Sequence, residues 1–141
     1  MKLTEHFSLS EFIKSYTADR WKIDNTPQTD DIIDNLRELC INVLEPIRNE
    51  WNKPLKINSG YRCPALNRKV KGARNSQHKL GKAVDIEFKN VPNRELYEWI
   101  KANLEFDQLI LEFHNPAIPD SGWVHVSFSA DKNRKQALEI K

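Results

Sequence analysis

Two histidines and two acids fall where strand-like segments would present them to one another. His125 lies within W-V-H-V-S-F-S, Asp85 within A-V-D-I-E-F and Glu112 within F-D-Q-L-I-L-E-F. In an extended chain successive side chains point to opposite faces. Val84, Ile86 and Phe88 therefore take one face and leave Asp85 on the other, while Val124, Val126 and Phe128 do the same for His125. In the third segment Gln108, Ile110 and Glu112 share a face opposite Leu109, Leu111 and Phe113. If the three strands pair in one sheet, Asp85, His125 and Glu112 stand on a common face above an apolar core. His78 comes seven residues before Asp85, in a glycine-containing loop that could fold back over it. Two imidazoles and one carboxylate are a borderline-soft donor set that suits zinc, and three protein ligands leave a fourth position for water. Such a metal lowers the pKa of its water to about 7 and polarises a carbonyl, which is the chemistry of hydrolysis. Each residue alone is a weak signal, because a single strand histidine is more often structural and a single strand aspartate more often solvated. Together, on physical grounds, they make a possible metal site.

The elements that must carry these residues follow from the apolar spacing. Ser8 with Glu11 reads as a capping box ahead of Leu9, Phe12 and Ile13, which predicts a short helix over residues 9–15. The chain from there to Pro27 is expected to be loop. Over residues 29–51, Ile32, Ile33, Leu36, Leu39, Cys40, Val43, Leu44, Ile47 and Trp51 recur at i, i+3, i+4, i+7, which predicts one long amphipathic helix, bent at Pro46. A strand is expected at 55–58 and a loop with one helical turn around 65–70. Strands follow at 83–88, 106–113 and 123–129, with a helix at 93–103 between the first two. The polar end, N-R-K-Q-A-L-E-I-K, could add an edge strand or trail. This order predicts an α+β domain, residues 1–141, with a mostly antiparallel sheet.

Bulk properties narrow the function classes. A chain of 141 residues is the size of one domain. Hydrophobic residues make up 39% and charged ones 30%, the balance of a soluble globular protein. A net charge of +2 gives no general field for nucleic acid or anionic lipid, so neither partner is expected. The exception is local: Arg62, Arg68, Lys69, Lys71, Arg74, Lys79 and Lys82 precede Asp85 with no acid among them, either a solvated loop or a surface for an anionic substrate. Cys40 and Cys63 form neither a CxxC pair nor a disulfide framework. The N-terminus has no apolar run of the secretory kind and no stretch approaches the length of a membrane span. The expected product is a signal-less monomer.

Three blocks carry a resemblance. S-G-Y-R-C-P at 59–64, S-Q-H-K-L-G-K-A-V-D-I at 76–86 and G-W-V-H-V-S at 122–127 are similar to the M15 metallopeptidases, the zinc D-Ala-D-Ala carboxypeptidases and related phage endolysins. With the preceding long helix the resemblance covers about two thirds of the chain. It implies a hedgehog/DD-peptidase-like fold, one zinc ion on His78, Asp85 and His125, and peptidoglycan stem peptides as substrate, cut by a carboxypeptidase or an endopeptidase. The family places an arginine sixteen residues before the first histidine, which here is Arg62. A guanidinium there can hold a carboxylate or carbonyl by two parallel hydrogen bonds. Ser76 is expected to bond the substrate or the zinc-ligand loop. Many members carry an acidic general base three residues before the final histidine, where this chain has Gly122. Glu112 is then the expected base, with His114 in reserve. If no base acts, the same fold would serve as a zinc-containing binding module of a cell wall or phage structure.

Overall fold

The computed structural model describes all of residues 1–141. Five strands form one sheet in the order β1-β2-β4-β3-β5, with β1 Lys56–Ser59, β2 Ala83–Glu87, β3 Gln108–Glu112, β4 Trp123–Ser127 and β5 Gln136–Ile140. Every neighbour pair is antiparallel except β3 and β5. The apolar alternation decides which way the sheet faces. Val84, Ile86, Leu109, Leu111, Val124 and Val126 are all wholly buried. Each such side chain contributes about 1.5–3 kcal/mol when taken out of water. A one-residue slip of any strand would turn that row to solvent, so the same residues fix the register.

Helices α1 Leu9–Ile13, α3 Asp30–Leu39, α4 Glu45–Trp51 and α6 Asn93–Asn103 contribute Phe12, Leu36, Leu39, Ile47, Leu96 and Ile100 to the core. Trp51 packs against Phe88 and Trp99 with ring centroids 5.2 and 5.4 Å apart. The capping box at Ser8 is formed, with Glu11 accepting from the Ser8 amide.

The stretch expected as one long helix is helical from Asp30 to Trp51, but in three pieces, because a π-helical segment, Cys40–Leu44, separates α3 from α4. Pro46 supplies the reason. In an unbroken α-helix its ring would press on the carbonyl one turn back and its missing N–H would leave that carbonyl unpaired. The wider π turn, in which the Glu45 amide reaches Cys40 O, takes up the misfit just ahead of the proline.

One element was not foreseen, and one open alternative is decided. Within the expected loop before Pro27 lies α2, Tyr16–Arg20, capped by the Ser15 hydroxyl, which accepts from the Ala18 amide. Only Ala18 of that turn is buried, so it leaves no apolar period to read. The polar end forms the edge strand β5 beside β3, held by backbone pairing rather than by burial, since Leu138 and Ile140 stay well exposed. The helical turn in the basic loop is α5, Pro64–Lys69, with Pro64 in its first turn and the Cys63 sulfur accepting from the Leu66 amide.

Candidate metal centre

On the solvent-facing side of the sheet the register sets Asp85 directly opposite His125, and His125 opposite Ile110. Directly paired residues project to the same face, so the Asp85 carboxylate and the His125 ring meet: His125 Nδ1 lies 3.0 Å from Asp85 Oδ1. His78 arrives from a 3-10 turn, Gln77–Leu80, that leads into β2. Three features hold that turn. The Ser76 hydroxyl accepts from the His78 amide at 3.2 Å. Gly81 closes it at φ +73, where a Cβ would stand 2.7 Å from Ile32 O. Asn35 on α3 donates to Leu80 O.

The His78 ring is nearly wholly buried and its Nδ1 lies 2.7 Å from Gly60 O. A carbonyl can only accept, so Nδ1 carries the proton and Nε2 presents its lone pair. That nitrogen faces Asp85 Oδ1 at 3.5 Å. Both imidazoles thus aim at the same carboxylate oxygen, and the donor atoms of His78, Asp85 and His125 all lie within 4.8 Å of one another. Ligands bound at about 2.0–2.1 Å to a tetrahedral ion stand roughly 3.4 Å apart. The observed 3.5 and 3.0 Å contacts lie on either side of that spacing, and the Gly60 carbonyl orients His78 as outer partners of metal-bound histidines do. The donor set and its spacing therefore suit a zinc-type ion. Burial works to raise the Asp85 pKa, but the two imidazoles set against its carboxylate, His125 first, outweigh it and hold the carboxyl well below the usual range, ionised as a ligand must be.

The three donors open onto a cleft of about 900 Å³ whose walls include Lys14, Tyr16, Arg62, Lys71, Glu112 and Trp123. Glu112 ends β3 opposite Trp123, and its Oε2 accepts from Trp123 Nε1 at 2.7 Å. Phe113 follows in a left-handed conformation, φ +55, and its ring packs on Trp123 with centroids 5.3 Å apart. The absence of an acid at Gly122 has a steric cause in this chain. Gly122 has φ +72, and a Cβ there would stand 2.1 Å from Glu112 O. His114 lies near Ser121 O and lines a separate depression with Arg94 and Glu139, away from the metal centre.

Arg62 is tied by its amide to His78 O at 3.0 Å, so it moves with the ligand turn. Its guanidinium makes no ion pair within the chain, and its buried Nε has no hydrogen-bond partner. Burial pulls its pKa down, opposed by the negative charges of Asp85 and Glu112. Of the basic stretch, Arg62 and Lys71 reach the cleft, whereas Lys69 lies over the Trp21 ring at 3.5 Å and Lys79 donates to Arg74 O. Sequence reasoning assigned no part to Trp123, Tyr16 or Lys14. Strand alternation does put Trp123 on the His125 face; Tyr16 sits in α2, which left no signal, and Lys14 ends α1.

No curated protein matches the chain. A family model described as peptidase M15 matches residues 5–127, from before α1 to the end of β4, and takes in the metal donors, Arg62, Ser76 and Glu112. The chain belongs to the peptidase M15 family of metallopeptidases.

Proposed function

We propose that the protein is a zinc peptidase that hydrolyses a peptide bond in peptidoglycan stem peptides, as a D-Ala-D-Ala carboxypeptidase or an endopeptidase, working as a monomer built on residues 1–141. The observation that carries this reading is one cleft holding a three-donor metal site, an unpaired guanidinium and a carboxylate with a free oxygen. His78 Nε2, Asp85 Oδ1 and His125 Nδ1 would hold the ion. Bound zinc would supply an acidified water and a Lewis acid for the scissile carbonyl. Glu112 takes the proton from the attacking water on Oε1, while Trp123 holds Oε2, and then passes it to the leaving amine. Arg62 takes the substrate's carboxylate or a peptide carbonyl, and its unpaired Nε supports that role. Ser76 keeps the ligand turn in shape.

A second reading, a zinc-containing binding module of a cell wall or phage structure, draws its support from Gly122, which removes the acid found there in many relatives. Hydrolysis of an acetylated Lys-D-Ala-D-Ala tripeptide and of its C-terminal amide separates the versions. Loss of the terminal residue from the acid alone marks a carboxypeptidase, and cleavage of cross-linked stem peptides with indifference to amidation marks an endopeptidase. Tight zinc binding with no cleavage of either, unchanged in Glu112→Gln, would leave the binding module.

A further inference from the structure

Arg62 has a seat, and the seat is built by residues outside the cleft's own chemistry. Asn67, on α5, is 3% exposed, and its Nδ2 donates to Ala73 O at 2.9 Å. That bond fixes which way the carboxamide points and leaves Oδ1 buried with no partner. The Gly72 amide returns to Asn67 O at 2.9 Å, closing the loop that follows α5. A Cβ on Gly72 would stand 2.1 Å from Asn67 Oδ1 and 2.7 Å from Arg62 Nη1. Both atoms therefore approach the same bare face of Gly72 and are neighbours across it. They make no hydrogen bond as they stand, so an unsatisfied acceptor and an arginine with an unsatisfied donor are packed side by side. Buried polar atoms without partners are uncommon and call for an explanation. Lys71, just before Gly72, is held at φ +58, a conformation that costs a non-glycine residue energy and is kept only where the surroundings impose it.

We propose that Asn67 and Gly72 are positioning residues that set how far the Arg62 guanidinium reaches into the cleft, and so determine how the substrate's acidic or carbonyl group is taken. The inference rests on the role given to Arg62 above. Gly72 supplies the space, and Asn67 Oδ1 is the acceptor that steadies Nη1 when Nε turns to a ligand. An aspartate at 67 would place a full charge against the guanidinium and hold it back from the cleft.

The test uses the zinc-loaded full chain, comparing wild type with Asn67→Asp and Gly72→Ala. Two measurements are made: the Arg62 Nε–H resonance, assigned with Arg62→Lys, and hydrolysis of the acetylated Lys-D-Ala-D-Ala tripeptide. In Asn67→Asp the resonance should move and KM should rise about tenfold with kcat changed by less than about twofold. A loss of general fold would instead lower kcat and zinc content together with the far-ultraviolet circular dichroism. An Arg62 resonance unmoved in both variants would overturn the seat. A moved resonance with unchanged KM would overturn its part in recognition. A moved resonance in a wild-type background that cleaves nothing would leave the seat standing and count against the peptidase reading.

Discussion

Glu112 and Trp123 face each other across β3 and β4, and the 2.7 Å bond from the indole leaves one carboxylate oxygen for chemistry. Glu112→Gln keeps the shape and the indole's acceptor but cannot take a proton. Turnover should fall by about 10²–10⁴, with zinc content unchanged; a variant as active as wild type would move the base elsewhere. Gly122 leaves no room for a side chain of its own beside β3. Gly122→Glu would force a side chain into a left-handed backbone and against Glu112 O. It should therefore destabilise the fold, by about 1–3 kcal/mol, and not restore a base, as a thermal melt with a tripeptide assay would report. The alternation of A-V-D-I-E-F and W-V-H-V-S made the metal face legible, because period-2 patterning needs no tertiary information. The Trp123–Glu112 bond was not legible, since it depends on which residues of β3 and β4 come opposite one another.

At the level of elements, the turn that carries His78 is short and stands on outside supports: Ser76, Gly81, Asn35 and the Gly60 carbonyl. Gly81→Ala places a methyl 2.7 Å from Ile32 O at positive φ. It should cost on the order of 1–3 kcal/mol and weaken zinc affinity, read by competition with a chromogenic chelator. Unchanged affinity would mean that His78 does not depend on its turn. The helical pattern over residues 29–51 marked the stretch that α3 and α4 occupy but read it as one helix, and the π segment that divides it was foreshadowed only by Pro46. One-turn α2 escaped, and edge strand β5 could be read only as one of two alternatives, because each buries too little apolar surface to leave a period. Backbone pairing and a serine cap hold them instead.

Across the whole molecule, one ion pair fastens the C-terminal strand to the cleft. Asp107, nearly buried ahead of β3, takes two bonds from the Arg134 guanidinium and one from Gln77, beside the ligand histidine. The Arg134 hydrogen bonds hold its carboxyl down at about 2, against burial, which acts to raise it. A carboxyl whose folded pKa lies below its unfolded value adds stability above the usual carboxylate range, and that stability is lost as pH falls from about 4 toward 2. Asp107→Asn should therefore lower the melting temperature at pH 7 and flatten its fall over that window; parallel curves would contradict the assignment. No helix is long and apolar enough to cross a membrane. The metal site draws on the 3-10 turn, β2 and β4 at once, so its occupancy reports on the whole assembly. The direct test is metal content by mass spectrometry on protein purified without chelator, beside His78→Ala, Asp85→Ala and His125→Ala. About one zinc per chain is expected in the wild type, and its loss in all three folded variants; a folded wild-type protein that carries no zinc and takes up none when it is added would contradict the metal site.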